Sequence, residues 1–391
     1  MRCALMIALL VVPAAVSSVT DAALPRYRLI ILPDDPESFI TRAKAINELG
    51  QVAGSISIPG PGISNAVFWP AADRMHEVIH GPGDDLAFAN DVNDAGVVVG
   101  SAGEGEFAFA WTSGTIYEPL PAAMCCPDAR AINEDGTIVG KGNLLTGGTF
   151  TAVWSDGELL DFGALQDHCC SEAMDINDLG QIVGSSEDVV ALWDDGRVIE
   201  IGGLGGLFAI ANGVNNRGEV VGVAHVQPPG VSRPFYWNGG PIVELPLLGG
   251  GSGHAASMND HGVIVGVAAT PLRPGQPSAR ATVWIDREAH DLNNLVVNLP
   301  RGAWLVTAND INNAGQIVGH IDVGETTDAF RLDPVAPADL SADGVVNGID
   351  LGILLAHWGP CGGPENCLSD LDESGSVDGI DLGILLASWT M

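Results

Sequence analysis

A ten-residue motif repeated seven times is the feature that most constrains how this 391-residue chain can fold. The copy DINDLGQIVG spans residues 175–184, and every copy has a Gly three residues after its Asn. The intervals between these asparagines are 46, 40, 44, 38, 44 and 53 residues, a period typical of propeller blades or solenoid coils. The motif asparagines are Asn47, Asn93, Asn133, Asn177, Asn215, Asn259 and Asn312.

One period of the repeat contains four short strand-forming segments separated by turn residues. In residues 173–204 these segments are AMDIN, QIVGSS, VVALW and RVIEIGGL, and Gly180 suits a positive φ in the first turn. The 51 glycines and 24 prolines agree with many turns and favour all-β structure. Four strands per period predict one propeller blade per repeat.

The two ends of the repeat array predict how the blades form a ring. The seventh repeat stops after its third strand, whereas an additional strand, RYRLIILP, precedes the first repeat. If that strand completes the last blade, no sheet edge stays exposed. We therefore predict an all-β, seven-bladed propeller over residues 24–334, closed by the N-terminal strand. A linear β-solenoid explains the period but does not need the additional strand.

An aromatic residue ends the third strand of every repeat. A position repeated in this way favours packing between blades, and a ring of sugar-stacking tryptophans is the alternative. The residues are Trp69, Trp111, Trp154, Trp193, Trp237 and Trp284, with Phe330 in the seventh repeat.

Three repeats carry an aspartate two residues before the motif Asn, at Asp91, Asp175 and Asp310. If the first strand of each blade is innermost, these carboxylates face the central channel, where they could hold a cation or act on a glycosidic bond. The alternative is that they bind backbone groups in turns. No GxSxG, HExxH, P-loop or dinucleotide motif accompanies them, which favours a protein without catalytic activity.

The start of the chain predicts export. Residues 1–23 have one Arg, an apolar run and then small residues, the pattern of a secretory signal peptide. No later run of about 18 apolar residues predicts a membrane span. The formal net charge of −33 disfavours binding to nucleic acid and suits cations, neutral sugars or basic partners. Solubility in salty surroundings is the simpler explanation of this charge, and we favour it over specific steering of a ligand.

Six cysteines follow the predicted signal peptide, an even number that indicates disulfides in an exported protein. Cys361 and Cys367 are expected to pair and close a short loop. The other four occupy equivalent places in neighbouring repeats, which allows bridges between repeats or, as the alternative, a thiolate metal site. They are Cys125, Cys126, Cys169 and Cys170.

A second duplication, residues 339–391, follows a short Pro/Ala linker at 335–338. Each half begins with twelve residues that place oxygen ligands at positions 1, 3, 5, 7, 9 and 12 and Gly at position 6, the spacing of a calcium loop. The predicted Ca²⁺ ligands are Asp339, Ser341, Asp343, the carbonyl of Val345, Asn347 and Asp350, and then Asp370, Asp372, Ser374, Ser376, Asp378 and Asp381.

An apolar segment, LGILLA, follows each loop and predicts one short helix. Leu351, Leu354 and Leu355 fall on one face of the first helix, and the duplicated leucines fall on one face of the second. We therefore expect the two helices to pack together.

Two family resemblances extend these expectations. The pattern INxxGxxVG, followed by a strand ending in Trp and by LGGLGG or LPLLGG, resembles the extracellular HAF repeat family over most of residues 24–334. Residues 338–391 resemble a type I dockerin, an EF-hand-like module, through Asp at loop position 12, a helix only after each loop, and near-identical halves. The dockerin resemblance implies docking onto a cohesin, often in polysaccharide degradation. Loop positions 10 and 11, often Ser-Thr-like in that family, are Gly-Ile here.

The combined expectation is a secreted, non-catalytic binding or scaffold protein. Its propeller binds or displays a ligand such as a carbohydrate, and its C-terminal module binds calcium and docks to a cohesin-like partner. The first alternative is a carbohydrate-active enzyme, an O-glycosyl hydrolase or lyase with a propeller catalytic domain. The second is a structural component of a surface layer.

Overall fold

A computed structural model describes residues 24–390 except for 37, 59–63, 80–85, 104, 116–117, 121–124, 144–147, 157, 162–169, 228–229, 362–366 and 373. Over these residues the protein is mostly β-sheet, with two α-helices close to the C-terminus. The all-β character predicted for the repeat region is therefore confirmed. The predicted signal peptide, residues 1–23, lies outside the described residues.

Each of the first six repeats folds into four antiparallel strands, which we number as sheets 1 to 6. Sheets 1 to 3 contain β2 (Ile40–Ile46), β3 (Val52–Ser57), β4 (Ser64–Trp69) and β5 (Glu77–Val78); β6 (Ala87–Val92), β7 (Val98–Ala102), β8 (Phe107–Trp111) and β9 (Glu118–Pro119); and β10 (Cys125–Ile132), β11 (Ile138–Asn143), β12 (Thr149–Ser155) and β13 (Glu158–Asp161). Sheets 4 to 6 contain β14 (Ser171–Ile176), β15 (Ile182–Ser186), β16 (Val189–Asp194) and β17 (Arg197–Gly202); β18 (Ala209–Val214), β19 (Val220–Val226), β20 (Val231–Trp237) and β21 (Val243–Glu244); and β22 (Gly253–Met258), β23 (Ile264–Ala269), β24 (Ala279–Ile285) and β25 (Glu288–Asp291).

Sheet 7 combines the two ends of the repeat region. Its strands β26 (Trp304–Ile311), β27 (Ile317–Val323) and β28 (Thr326–Pro334) come from the last repeat, and β1 (Tyr27–Ile31) pairs antiparallel with β28. The predicted partner of the N-terminal strand is thereby confirmed. A single parallel bridge between Ile40 and Thr327 joins sheets 1 and 7, while the other sheets remain separate.

The motif Asn and Gly build the turn between the first and second strands, as predicted. In the fourth repeat the Gly180 N–H donates to the Asn177 carbonyl at 3.0 Å, and the Asn177 N–H donates to the Gln181 carbonyl at 3.1 Å. Gly180 has φ +77°, a conformation that favours glycine.

The motif asparagines also join the seven sheets to one another. The Asn177 side chain accepts the Gln181 N–H through Oδ1 and donates through Nδ2 to the Asn215 carbonyl of the next sheet, both at 2.9 Å. The same bond to the next motif carbonyl recurs in all repeats at 2.9–3.3 Å. The last one runs from Asn312 back to Asn47 and completes a cycle, which we call the asparagine ring.

A β-bulge interrupts the first strand of every sheet, three residues before the motif Asn. In β10, Ala129 pairs with Gly140 and Ala131 with Val139, so Arg130 is the extra residue. A Cβ on Gly140 would overlap the Asp128 carbonyl oxygen, and the Gly that ends every motif has the same constraint. This Gly is therefore needed because the bulged strand brings its backbone against the second strand.

The aromatic residues at the ends of the third strands lie in the core. Trp69, Trp111, Trp154, Trp193, Trp284 and Phe330 are all buried, and Trp237 is partly buried. In sheet 1, Trp69 also donates its indole N–H to the Pro33 carbonyl at 2.8 Å. Buried rings are closed to a sugar, so the packing interpretation is confirmed and a stacking surface of tryptophans is excluded.

The C-terminal duplication forms two loops, each followed by a nine-residue helix, α1 (Gly348–Ala356) and α2 (Gly379–Ala387). Leu354 and Leu385 are fully buried in a small core that also contains Val346 and Val377. The prediction that Leu355 and Leu386 share the buried face is wrong, because both are 51% exposed. They lie about 100° around the helix from the buried leucines. A short pairing of β29 (Gly359–Pro360) with β30 (Ser376–Val377) joins the halves.

The predicted linker and the first loop contact the N-terminal strand. The Val335 N–H donates to the Arg26 carbonyl at 2.8 Å. The Arg26 and Arg28 guanidinium groups donate to the carbonyls of Asp339 and Asp343 at 3.0 and 2.6 Å. The duplicated module is thus hydrogen-bonded to β1.

The cysteine predictions have different outcomes. The disulfide between Cys361 and Cys367 is present, so these sulfurs are not metal ligands. Cys126 and Cys170 are exposed, and Cys126 carries a free thiol among the described residues. Cys169 and the side chain of Cys125 lie outside what the structure describes, so the predicted bridges between repeats remain predictions.

Candidate functional site

The first strands of the seven sheets contact one another in a cycle, from β2 through β6, β10, β14, β18 and β22 to β26 and back. Together with the asparagine ring, they surround a central channel. The cycle arises because each first strand carries the motif Asn at its end, where the side chain reaches the next sheet. This arrangement confirms that the first strand of each repeat is innermost.

A second ring of polar side chains follows the asparagine ring at the hairpin end of the channel. Each residue directly after the motif Asn donates its backbone N–H to the equivalent side chain of the next sheet, as Glu134 does to Asp178 at 3.0 Å. The pattern closes from Asn313 back to Glu48. Five of its seven members are acidic: Glu48, Asp94, Glu134, Asp178 and Asp260, with Asn216 and Asn313.

The three predicted channel carboxylates link neighbouring sheets. Asp91 accepts the backbone N–H of Ile132 in sheet 3, and Asp175 accepts that of Val214 in sheet 5, both at 2.8 Å. Asp310 accepts the N–H of Ile46 in sheet 1 at 2.9 Å. In each case the other carboxylate oxygen accepts the N–H of the residue that directly follows the aspartate. Both oxygens therefore bind backbone, the alternative role considered from the sequence.

The electrostatics of these carboxylates oppose their charged form. Burial raises the pKa of Asp91 to about 8, and the negative charge of Asp310 adds to this effect. Burial also raises the pKa of Asp175 to about 7 and that of Asp310 above its usual range, against the effect of their N–H donors. A carboxyl with a raised pKa can serve as a general acid. Among the described residues, however, the carboxylate oxygens of these three aspartates do not lie within 4.8 Å of one another, as the ligands of one metal ion would.

Two groups of three aspartates, close enough together to hold a metal ion, lie in the two C-terminal loops. Oxygens of Asp339, Asp343 and Asp350 lie within 4.8 Å of one another, and so do those of Asp370, Asp372 and Asp381. These are positions 1, 5 and 12 of the first loop and positions 1, 3 and 12 of the second. The structure thus brings together six of the predicted calcium ligands in two sets.

The same hydrogen bonds shape both loops. The Asp339 carboxylate accepts the N–H groups of Asp343 and Gly344 at 3.2 and 2.9 Å, and Asp370 accepts those of Ser374 and Gly375 at 3.0 and 2.7 Å. Gly344 has φ +93° and Gly375 +89°, as the sharp turn at position 6 requires.

The position-12 carboxylates connect each loop to its helix. Asp350 accepts the N–H of Ser341 and of Asn347, both at 2.8 Å, and Asp381 makes the equivalent bonds in its loop. Burial alone would raise the pKa of Asp350, but the donated N–H groups outweigh it, and the pKa lies below its usual range. This carboxylate is therefore charged at neutral pH.

The remaining predicted ligands have other contacts. Asn347 and Asp378, at position 9, cap the two helices by accepting the N–H groups of Ile349 and Ile380 at 2.8 Å. Ser341 donates its hydroxyl to Asp339 at 3.3 Å, and Ser374 donates to the Ser376 carbonyl at 3.1 Å. Val345, whose carbonyl is the predicted ligand, is exposed. The donor set consists of hard oxygen atoms, which fits Ca²⁺.

No protein-family model matches the chain, and no curated protein matches it in sequence. Solved structures do. A catalytically inactive virginiamycin B lyase from Staphylococcus aureus, with quinupristin, has a TM-score of 0.51 and 11% identity over 78% of this chain and 99% of its own. A streptogramin B lyase has a TM-score of 0.51 and 13% identity over 79% and 98%. The β-propeller domain of the Trilobed protease from Pyrococcus furiosus has a TM-score of 0.46 and 11% identity over 76% and 94%.

The repeat region has a propeller-like fold. At these identities the likeness concerns the fold alone, so the activities in the names of those proteins do not extend to this chain. Neither α-helix in the described part of the chain is long and apolar enough to span a membrane.

Two features of the propeller-like region were missed by reasoning from the sequence. The motif Asn was interpreted as a turn residue, although it also joins the sheets. The bulge residues, such as Arg130, were not considered, although they line a cavity in the channel. A signal for the bulge was present in the Gly that ends each motif, which is an unusual residue inside a buried strand.

Proposed function

We propose that this is a secreted, non-catalytic binding protein in which a closed seven-bladed propeller presents a ligand site and the C-terminal module binds two Ca²⁺ ions. The observation that carries the calcium proposal is the same gathering of three carboxylates in both loops, each within 4.8 Å. Three like charges at this separation repel one another, and a divalent cation removes that repulsion. The asparagine ring supports the closed propeller.

Calcium binding is tested by titrating the full chain, freed of metal with EDTA, by isothermal titration calorimetry. We expect two Ca²⁺ per chain and a rise in the melting temperature of the module, because an ion that binds only the folded state stabilises it by mass action. The variant Asp350→Asn should remove one of the two calcium sites. The double variant Asp350→Asn, Asp381→Asn should remove both. Asp73→Asn, at an exposed aspartate outside the module, is the matched control. An unchanged melting curve upon Ca²⁺ addition would refute this proposal.

The same module carries a duplicated apolar surface. Ile349 and Ile380 are 58% and 59% exposed, and Leu355 and Leu386 are both 51% exposed. Trp358 and its counterpart Trp389 are exposed as well. We propose that this surface docks a cohesin-like protein when calcium orders the loops, as the dockerin resemblance implies. Exposed apolar patches of this kind mark interaction sites in soluble proteins.

Docking is tested by pull-down of a type I cohesin domain with the full chain in Ca²⁺ and in EDTA. We expect capture only in Ca²⁺, and loss of capture in Ile349→Asp with Ile380→Asp, which leaves the metal ligands in place. Phe39→Asp, which changes an exposed apolar residue of the propeller-like region, is the control. Equal capture by the Ile variant and the control would show that this surface is not the docking site.

A further inference from the structure

The described residues form two notable cavities. The larger, about 400 Å³, is lined by Arg280, which already binds Asp291 and Gln276 at 2.7 Å and lies over the Trp304 ring. The positive charge of Arg280 is therefore paired within the protein. The smaller, about 280 Å³, lies in the central channel, and we call it the channel site. Fewer of the polar and charged groups that line the channel site have partners within the protein.

The residues at the bulges line the channel site. They continue one alternating face of each first strand, since Asp128 and His254, each two residues before a bulge residue, line the same cavity. The neighbours of Arg130, Ala129 and Ala131, are buried. All seven sheets contribute their bulge residue to the lining of the channel site. The seven bulge residues are Lys44, Asn90, Arg130, Met174, Asn212, Ala256 and Asn309.

Three of these residues present an amide oxygen in the same way. The Nδ2 groups of Asn90, Asn212 and Asn309 each donate to a backbone carbonyl of the next sheet, all at 2.7 Å. This bond fixes the orientation of each amide. No group among the described residues donates to the three Oδ1 atoms, which are acceptors in need of donors.

Lys44 supplies a positive charge to the channel site, and this charge partly offsets the burial that raises the pKa of Asp175 and Asp310 in the same channel. It is one of only two lysines in the chain, and the other, Lys141, pairs with Glu172 at 3.5 Å. Lys44 forms no salt bridge with any described residue, and it is exposed to the channel. Arg130, by contrast, is paired with Asp128 and Glu172.

The third basic residue that lines the site, His254, is neutral at physiological pH. Burial by the channel walls lowers the pKa of His254, and the positive charge of Lys44 adds to this effect, although water reaches the ring through the channel. Besides the ion pair of Arg130 with Asp128, the channel site therefore holds the Lys44 ammonium group and three oriented acceptors, with Met174 and Ala256 as its apolar part.

We propose that the channel site binds a small polyhydroxylated carboxylate, such as a uronic acid. The Lys44 ammonium holds the ligand carboxylate, and the amide oxygens of Asn90, Asn212 and Asn309 accept its hydroxyl groups. The cavity is at the small end of ligand pockets, which measure about 300–1,000 Å³, so it fits one sugar ring rather than a chain. This inference names the ligand class for the propeller part of the proposed function and does not rest on the calcium loops.

The test is calorimetric titration of the full chain with D-galacturonate in about 0.15 M salt, which screens the acidic surface beyond about 8 Å. D-galacturonate methyl ester, which lacks the charge, and acetate, which lacks the hydroxyls, are the matched ligands. Because a hydrogen bond to a charged group contributes about 1.5–3 kcal/mol, each should bind at least tenfold more weakly than the acid. Binding should be the same in Ca²⁺ and in EDTA, which separates this test from that of calcium.

The variant Lys44→Met keeps the length of the side chain and should weaken galacturonate binding at least tenfold, while Lys44→Arg should retain it. Lys141→Met, outside the channel site, should leave binding unchanged. Melting curves of all three variants show whether each is folded. The proposal is overturned if galacturonate does not bind, if the ester binds as tightly as the acid, or if folded Lys44→Met binds like Lys141→Met.

Discussion

The channel of the propeller-like region and the C-terminal loops use the same hydrogen bond, an Asp or Asn oxygen accepting a backbone N–H, with opposite results. Asp91 accepts from Ile132, 41 residues away in the next sheet, whereas Asp350 accepts from Ser341, nine residues away in the same loop. Bonds between repeats distribute the carboxylates around a ring. Bonds within a repeat gather them at one point, where a cation fits.

The two regions also differ in how folding changes the carboxylates. In the channel, burial raises the pKa of Asp91 and Asp175. In the first loop, donated N–H groups overcome burial and lower the pKa of Asp350. The comparison teaches that acidic residues repeated in a sequence predict a metal site only when their backbone partners lie within one loop.

Breaking the asparagine ring is expected to have the largest effect on stability. The change Asn177→Ala leaves the N–H groups of Leu179 and Gln181 without their side-chain acceptor and removes one of the two donors to the Asn215 carbonyl. Each buried polar group left unpaired costs about 1–3 kcal/mol, so the propeller-like region should lose about 3 kcal/mol. Denaturant unfolding followed by tryptophan fluorescence measures this loss. Asn238→Ala, at an exposed position, is the control and should change the stability by less than about 0.5 kcal/mol.

The expected effect of Asn177→Ala on the C-terminal loops is small, because no loop residue contacts the ring through the bonds described. Calcium affinity of the variant should therefore equal that of the unchanged chain. If the variant lost calcium binding together with propeller stability, the two duplications would not be independent, contrary to the comparison above.

The pH dependence should have opposite signs in the two regions. The raised pKa values, about 8 for Asp91 and about 7 for Asp175, mean that between about pH 4 and pH 8 the folded channel binds more protons than the unfolded chain. The stability of the propeller-like region should then fall as the pH rises through this window, by less than the pKa shifts alone would give, because water in the channel screens both carboxylates. The lowered pKa of Asp350 makes the metal-free module lose stability as the pH falls below about 4.

Melting temperatures recorded from pH 3 to pH 9 check both trends. The double variant Asp91→Ala, Asp175→Ala should flatten the slope of the propeller-like region, and Ala already stands at this place in two repeats, at Ala45 and Ala131. A slope that persists in the double variant would show that the channel carboxylates do not cause it.

The smallest expected effect concerns the contact between the regions. Arg28→Ala removes the hydrogen bond from the β1 side chain to the Asp343 carbonyl of the first loop. Since this contact is partly exposed to water, we expect the metal-free module to lose about 1 kcal/mol. Scanning calorimetry in EDTA measures the change, with Arg301→Ala, an exposed arginine, as the control. Equal transitions in the two variants would mean that the module folds without help from β1.

The strand count, the turn at Asn177 and Gly180, and the partner of β1 could all be predicted from the sequence. Each depends on local residue preferences or on counting strands within a period. The Cys361–Cys367 disulfide could be predicted for a similar reason, since it closes a short loop.

The asparagine ring and the channel site could not be predicted. The turn already accounts for Asn-x-x-Gly, and the additional acceptor is a backbone carbonyl of another repeat, which has no sequence signature. Lys44 follows a simple period of two, between the buried Ala43 and Ala45, but the sequence gives no sign that the bulge residues of seven repeats meet in one cavity. The predicted buried face of α1 was wrong at Leu355, because the small core fully buries a single leucine from each helix, Leu354 and Leu385.

The pairing of β1 with β28 has a consequence for how the chain folds. Sheets 1 to 6 each form from one continuous segment, but sheet 7 needs the first strand and the last three. Bringing such distant segments together carries a large loop-closure entropy, so completion of sheet 7 should be the slow step of folding. Until β28 is synthesised, β1 stays without a partner, and its alternating apolar residues are open to other strands. The fold of the propeller-like region therefore cannot be completed before its last strand has been synthesised.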